Sequence, residues 1–303
     1  MSAIVKSFHS SPYLLLVLTM LFWSGNFVLG RAVHEAFSPI ALSFWRWTVA
    51  LLILLPFVLP RLRVQWPLLR RHWKSLTLLS ILGVVNSNTF AYTGLQYTTA
   101  TNAVIMISTT PVIIVALSFL LLRITITGWQ ALGIGVSLLG VLVIVVRGDL
   151  QTLFEQQLNS GDIWIIAAVL SWALYSVCLK WRPTGLPILE FLVILMAIGV
   201  VVLTPLYAWD ITVRSHTLAI NVVNLASIAY VALFPSILAY LFWDQAVAEL
   251  GANRAGQFLH LMPVFGALEA TLLLGERLHA FHFGGIGLIA LGIYLATVRR
   301  RPA

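Results

Sequence analysis

The amino-acid sequence contains an internal repeat that covers almost its full length. Gly133-Ile134-Gly135 returns as Gly285-Ile286-Gly287 at an offset of 152 residues, and Trp23 has a counterpart in Trp172 at an offset of 149. The chain is also strongly apolar, because 60% of its 303 residues are hydrophobic and only 9% are charged. Soluble proteins carry roughly 25% charged residues. A repeat in so apolar a chain predicts a duplicated helical bundle in a membrane, an architecture typical of transporters.

Ten apolar stretches are long enough to cross a bilayer, which takes about 20 mostly apolar residues. They cover residues 12–31, 38–60, 73–96, 99–122, 127–146, 161–182, 186–209, 221–248, 252–274 and 279–298. The first stretch lacks a small-residue cleavage site, so we expect it to stay as a helix rather than act as a signal peptide. The predicted fold class is therefore an all-α integral membrane protein of ten transmembrane helices.

The basic residues predict the orientation of these spans. If the N-terminus is cytoplasmic, 13 of the 18 lysines and arginines lie on the cytoplasmic side and four lie outside, while Arg46 falls within a span. The net charge of +8 is then a topology signal rather than a sign of nucleic-acid binding. We expect both termini in the cytoplasm of a cell with the chain in its inner, or plasma, membrane.

The ten spans divide into two repeats of five, at residues 1–150 and 151–303. Because five is odd, the second repeat is predicted to have inverted topology, related to the first by a pseudo-two-fold axis in the membrane plane. This arrangement permits one central site with two alternating openings. A monomer is sufficient to form it.

Several segments resemble motifs of the drug/metabolite transporter superfamily. They are Leu21-Phe22-Trp23-Ser24-Gly25-Asn26-Phe27, Ser38-Pro39 with Arg46, Thr110-Pro111, Met262-Pro263, and Leu272-Leu273-Leu274-Gly275-Glu276-Arg277 before a glycine-rich last span. The likeness covers nearly the whole chain and is to the EamA group of ten-helix exporters. The aromatic amino-acid exporters called YddG are a candidate closer relative. Two positions depart from the repeat, since the counterpart of Arg46 in the second repeat is Leu195 and the counterpart of Glu276 in the first repeat is Ile124.

This resemblance implies a transporter that exports amino acids, with aromatic and other apolar ones favoured, or related small metabolites by alternating access. Polar side chains within spans usually face a cavity, because they are costly in lipid. We therefore predict a central cavity among spans 1, 3, 4, 6, 8 and 9. Its expected substrate-binding residues are Trp23, Asn26, Asn88, Tyr92, Gln96, Trp172, Tyr175, Tyr240, Gln257 and His260. Kinked backbone at Pro111 and Pro263 is expected to receive the charged end of the substrate.

Some of these residues also have a structural interpretation. His260 could line the cavity, couple protons or simply hydrogen-bond between helices. Trp23 and Trp172 could belong to the membrane interface, and Asp244 could reach the membrane surface instead of the cavity. Arg46 could clamp a carboxylate, although we favour a structural role within its own repeat. Together with Asp244 and the two prolines, Arg46 is a candidate coupling or gating residue.

Motifs for other functions are missing from the sequence. There is no Gly-x-x-x-x-Gly-Lys phosphate loop and no Gly-x-Ser-x-Gly elbow, and Cys178 is the only cysteine. We expect no catalytic residue, metal or cofactor, and no enzymatic activity; the expected partners are the lipid bilayer and an amino-acid-like substrate. One alternative is a transporter or exchanger of a larger anionic metabolite, which would need several cations in the cavity. A non-transporting membrane enzyme or scaffold is the other.

Overall fold

The computed structural model describes residues 11–33, 36–98, 100–146, 159–214, 221–274 and 278–297. Over these ranges the backbone forms ten helical segments, numbered here in chain order. Their bounds are Pro12–Ala32 (α1), Pro39–Arg71 (α2), 73–97 (α3), 100–122 (α4), Gly128–Val145 (α5), Ser160–Trp181 (α6), Ile188–Arg214 (α7), Val222–Leu250 (α8), 252–274 (α9) and Ala280–Thr297 (α10). The described part of the chain is therefore all-helical, as the sequence predicts.

Eight of these segments are long and apolar enough to cross a membrane, and α3 and α9 are the two that are not counted among them. α3 carries the polar run Asn86-Ser87-Asn88-Thr89, and α9 carries Gln257 and His260. Length and composition are those of an integral membrane protein with multiple spans. The count of ten spans stays a prediction for these two helices.

The second helix is longer than the sequence predicts. The predicted span ends at residue 60, but α2 continues through Pro60 and Pro67 to Arg71, which adds about three turns. These turns carry exposed basic residues, which suit the surface of a membrane rather than its interior. Arg61 Nη1 donates to Glu190 Oε1 at 3.1 Å and so ties the extension to α7. Hydropathy alone missed it, because a helix can continue beyond the apolar stretch that crosses the lipid.

Polar residues fix where several helices begin. The Ser38 hydroxyl accepts from the Ala41 amide at the start of α2, and Asn221 caps α8 in the same way. Thr127 and Asn159 form capping boxes at the starts of α5 and α6. Such caps satisfy amide groups that have no partner within the helix.

The helix contacts between the two halves occur in equivalent pairs: each contact has a counterpart in which the two halves have changed roles. α1 packs against α8 as α6 packs against α3, and α1 packs against α9 as α6 packs against α4. α2 pairs with α7, and α5 pairs with α10, so corresponding helices lie side by side. This is the packing expected of two similar five-helix halves around a shared centre.

Two corresponding helices, α3 and α8, contain a wider π-helical turn, at Ile81–Asn86 and Ala232–Leu238. Such turns change the regular bonding of the backbone and occur often at functional sites. In this protein each turn offers a carbonyl to the opposite half. The Gly83 carbonyl accepts from the Tyr240 hydroxyl, and the Pro235 carbonyl accepts from Trp23 Nε1 at 3.1 Å. The two π-helical turns therefore position aromatic side chains across the interface between halves.

The repeated glycines bring α5 and α10 into close contact. A Cβ atom on Gly133 would lie 2.5 Å from the Gly292 carbonyl oxygen, and one on Gly140 would lie 2.7 Å from that of Gly285. Small residues of this kind let membrane helices approach backbone to backbone. The close contact between α5 and α10 explains the glycine repeat.

Candidate functional site

A central cavity lies where the two halves meet. Its lining comes from α1, α3, α4, α6, α8 and α9, which are the six helices expected from the sequence. Asn26, Asn88 and Tyr92 give it polar groups, whereas Trp23 and Trp172 give it aromatic ones. Its volume is about 80 Å³, which is small beside the roughly 300–1,000 Å³ of typical ligand pockets. Side chains must therefore move apart before a molecule as large as an amino acid can enter.

An aromatic cluster of Trp23, Trp172, Tyr240 and Trp243 borders this cavity and joins the two halves. The rings of Trp23 and Trp172 meet edge to face with centroids 4.8 Å apart. Tyr240 lies 5.4 Å from Trp172, and Trp243 lies 5.3 Å from Trp23. Each favourable ring pair contributes about 0.5–1.5 kcal/mol beyond its buried area. Trp23 is buried and Trp172 is partly buried, and the faces of both rings could contact an apolar group.

Arg46 lies directly behind the polar lining of the central cavity and is fully buried. Its guanidinium donates to Ser236 Oγ at 2.8 Å, to Asn88 Oδ1 at 2.9 Å, to the Tyr92 hydroxyl at 2.6 Å and to Asn26 Oδ1 at 3.3 Å. All four partners are neutral, and no described carboxylate forms an ion pair with Arg46. A charge within a membrane helix costs about 2.5–3.5 kcal/mol on insertion scales, so a buried arginine without an acidic partner is unusual.

Asn88 extends this network across the interface between halves. Its Oδ1 accepts from Arg46, while its Nδ2 donates to the Tyr240 hydroxyl at 2.9 Å. Tyr240 in turn donates to the Gly83 carbonyl. The charge of Arg46 is therefore connected through one amide to the aromatic cluster on the other side of the cavity.

A second cavity, here called the basic-rimmed cavity, has a volume of about 580 Å³. It lies between the ends of α4, α6 and α8 and the starts of α5 and α9, with Lys180, Arg182 and Arg254 in its lining. Asp244 is its acidic residue and is only 2% exposed. The Tyr175 hydroxyl donates to Asp244 Oδ1 at 2.8 Å, and the Tyr175 ring lies 5.1 Å from Trp172. Tyr175 thus connects this cavity to the aromatic cluster.

His260 joins three helices through both of its ring nitrogens. Nδ1 lies 2.6 Å from Ser137 Oγ on α5, and Nε2 lies 2.9 Å from the Ser108 carbonyl oxygen on α4. The helix is interrupted at residues 108–109, and the Val112 amide donates to the Thr109 carbonyl, which leaves the Ser108 carbonyl for His260. Pro263 follows a corresponding 3₁₀ segment in α9. These contacts agree with the structural interpretation, in which His260 hydrogen-bonds between helices.

The structure brings together six of the ten predicted substrate-binding residues. Trp23, Asn26, Asn88, Tyr92, Trp172 and Tyr240 line the central cavity. Tyr175 and His260 lie beside it with the contacts given above, and Gln257 donates to the Asn253 carbonyl. Gln96 is exposed in the last turn of α3, because one further turn from Tyr92 carries it out of the bundle. Thr110 and Met262, rather than the adjacent Pro111 and Pro263, reach the cavity.

Sequence reasoning missed several residues of this region. Trp243 is three positions from Tyr240, so helical spacing would have placed both on one face. Ser236 is another such residue, because it accepts a hydrogen bond from Arg46, as Asn88 does. The Gly83 carbonyl carried no signal, since the π-helical turn that presents it is invisible in the residue pattern. Among the described residues, no group of three or more His, Cys, Asp and Glu side chains could hold a metal ion.

Comparison with known proteins identifies the family. The EamA-like transporter family matches this chain twice, at residues 10–146 and 159–298. The chain is 25% identical to the uncharacterized transporter YyaM of Bacillus subtilis, over 95% of this chain and 94% of that protein. It is 29% identical to an uncharacterized transporter of Archaeoglobus fulgidus, over 96% of this chain and 99% of that protein.

A more distant relative carries a more specific name. A probable amino-acid metabolite efflux pump of Escherichia coli is 27% identical over 180 residues, or 55% of this chain and 57% of that protein. A solved crystal structure shares the fold with a TM-score of 0.74 and 18% identity, over 95% of this chain and 96% of that chain. The two family matches cover both five-helix halves, and the two relatives that match over nearly their whole length are named as transporters. The chain therefore belongs to the EamA-like transporter family and is an integral membrane transporter, not an enzyme.

Proposed function

We propose that this protein exports amino acids, with aromatic and other apolar ones favoured, across the cell membrane. One observation carries the proposal: a fully buried arginine with only neutral partners lies behind a cavity that also has aromatic walls. The arginine supplies the positive charge that a carboxylate requires, and the rings supply contact for an apolar side chain. The relative named as an amino-acid metabolite efflux pump supports the same substrate class.

The proposed mechanism is alternating access between two inverted halves, residues 1–150 and 151–303. The equivalent helix contacts made by the two halves support this arrangement. In the orientation that the basic residues predict, with ten spans and cytoplasmic termini, the basic-rimmed cavity faces the cytoplasm. Its volume of about 580 Å³ exceeds the 80 Å³ of the central cavity. We therefore assign the basic-rimmed cavity as the cytoplasmic entrance of the transport pathway.

Each group has a distinct part in this proposal. Trp23, Trp172 and Tyr240 contact the apolar part of the substrate, while Asn88 and Tyr92 present hydrogen-bonding groups backed by the charge of Arg46. Transport requires the aromatic cluster to separate, because it lies between the two cavities. A larger anionic metabolite fits the central cavity less well, since Arg46 is the one described cation behind it and its volume is about 80 Å³.

Flux into proteoliposomes tests this proposal. Vesicles containing the purified protein and preloaded with unlabelled phenylalanine should accumulate labelled phenylalanine faster than unloaded vesicles. Phenylalanine amide, which lacks the carboxylate, should compete at least tenfold less well because it cannot use the charge of Arg46. Protein-free vesicles provide the background. Absence of counterflow for all twenty amino acids would exclude the substrate class but not the family.

A further inference from the structure

The basic-rimmed cavity has a chemical polarity that the central cavity lacks. Three basic residues lie on its lining, whereas the buried Asp244 is its one described acidic residue. The positively charged side chains are more exposed than Asp244: Lys180 is exposed, and Arg182 and Arg254 are partly so. The cavity therefore has a cationic rim and an anionic inner end.

Asp244 has one oxygen without a partner. Oδ1 accepts from the Tyr175 hydroxyl, but Oδ2 is buried and has no hydrogen bond with any described residue. No described lysine or arginine forms an ion pair with it either. Leaving a buried acceptor unpaired costs about 1–3 kcal/mol, and more for a charged group. This oxygen therefore points to a ligand that brings a hydrogen-bond donor.

A second acceptor in the same cavity has the same deficiency. Asn253 lines the basic-rimmed cavity, and its Oδ1 is buried without a hydrogen-bond partner. An ammonium group matches two unpaired acceptors, because it carries a positive charge and three donors and no acceptor. A carboxylate or phosphate group would be repelled by Asp244 and could satisfy neither oxygen.

We propose that the inner end of the basic-rimmed cavity binds the ammonium group of the substrate, with Asp244 as its counter-ion and Asn253 as a second acceptor. This inference rests on the proposed function, since it assigns the other charged end of the same amino acid. The carboxylate then lies toward Lys180, Arg182 and Arg254 while the substrate waits in this cavity. A zwitterion is thus favoured at entry over either a simple cation or a simple anion.

The connection through Tyr175 gives this site a place in the transport cycle. Tyr175 contacts Asp244 through its hydroxyl and Trp172 through its ring. Trp172 in turn lines the central cavity. A substrate held at Asp244 therefore lies next to the aromatic cluster that it must pass, and binding there precedes entry into the central cavity.

Three probes that share one ring separate the charged groups: phenylalanine, phenylethylamine without the carboxylate, and 3-phenylpropionate without the ammonium group. Binding is measured by thermal stabilisation of the detergent-purified protein.

Asp244→Asn removes the charge, but its side-chain oxygen can still accept a hydrogen bond from Tyr175. We expect it to weaken phenylalanine and phenylethylamine at least tenfold and to leave 3-phenylpropionate unchanged. Glu249→Gln is the matched control, because Glu249 is exposed on the same helix and contacts Gln245; it should behave as wild type.

Two results would overturn the ammonium site. One is wild-type affinity of a folded Asp244→Asn variant for phenylethylamine. The other is an equal loss for all three probes, which would make Asp244 a gating or structural residue. If the variant does not fold, the wild-type protein still decides the matter, because phenylethylamine must bind at least tenfold more tightly than neutral 3-phenylpropanol. Equal binding of these two would also contradict the proposal.

The proposed function and the ammonium site fail in different ways. If no amino acid shows counterflow but phenylethylamine stabilises wild type and not Asp244→Asn, the substrate class is wrong and the ammonium site stands. If phenylalanine shows counterflow and Asp244→Asn binds phenylethylamine normally, the function stands and the site is wrong.

Discussion

Among single residues, Arg46 has the most unusual surroundings, because its fully buried guanidinium is hydrogen-bonded to four neutral side chains from three other helices, α1, α3 and α8. It caps no helix end in its own repeat, and its partner Ser236 belongs to the other half. The two halves do not both supply such a charge, since Leu195 is the counterpart of Arg46 and is buried and apolar. The charge is thus present in one half only, which suits the proposed substrate with one carboxylate.

Arg46→Gln should reduce phenylalanine counterflow by more than about tenfold, equivalent to about 1.4 kcal/mol, because the positive charge behind Asn88 and Tyr92 is lost. Arg46→Lys keeps the charge but not the planar fork that reaches several partners at once, so its flux should lie between wild type and the glutamine variant. Counterflow per folded molecule is the measurement, with folding followed by thermal denaturation.

Arg63→Gln provides the matched control, since Arg63 is exposed on the same helix. Its flux should equal that of wild type. A folded Arg46→Gln protein that still prefers phenylalanine to phenylalanine amide tenfold would show that the guanidinium is purely structural.

Among the helices, α5 and α10 owe their close contact to glycine and contribute nothing to either aromatic or polar lining of the central cavity. Gly133-Ile134-Gly135 and Gly285-Ile286-Gly287 therefore lie at a helix contact and not in the lining of the central cavity. The π-helical turns of α3 and α8 have the opposite role, because each presents a carbonyl that holds an aromatic residue of the other half.

Gly140→Ala should destabilise the protein by roughly 1–3 kcal/mol, the range for overpacking a tight contact. The new methyl group would lie 2.7 Å from the Gly285 carbonyl oxygen, a distance that requires the helices to separate. Gly135→Ala is a control on the same helix, because a Cβ there meets no atom within 4 Å. Thermal denaturation in detergent should show a lower midpoint for Gly140→Ala alone. Equal midpoints for both variants would contradict the close-contact interpretation.

For the whole molecule, the inverted arrangement of the halves can be tested at one pair of equivalent positions. Ala36 and Thr184 precede α2 and α7 and are both exposed. Inverted repeats place them on opposite sides of the membrane, with Ala36 outside and Thr184 in the cytoplasm. Single cysteines at these sites, in a background where the buried Cys178 is replaced by alanine, should therefore differ in labelling.

A membrane-impermeant maleimide applied to intact cells should label Ala36→Cys and leave Thr184→Cys unlabelled until the membrane is permeabilised. The Cys178→Ala background alone serves as the blank. Labelling of both cysteines from the same side would rule out inversion and, with it, the alternating-access proposal.

The amino-acid sequence by itself determined the all-helical class, the family and which six helices surround the central cavity. These features follow from local properties, since an apolar run of sufficient length forms a helix in lipid and polar residues within it usually face inward. Trp23, Asn26, Asn88, Tyr92, Trp172 and Tyr240 were identifiable for this reason, because each is a polar or aromatic residue on a helix that lines the cavity.

Only the tertiary structure decided which of the predicted residues are exposed and which groups the buried ones contact. Gln96 has the same helical face as Tyr92 but lies where α3 leaves the bundle, so its position along the membrane determines its exposure. His260 could have lined the cavity, yet Ser137 and Ser108 take both of its nitrogens. The reason is that a helix fixes only the direction of a side chain. The group that it meets belongs to another helix, distant in sequence, and packing selects it.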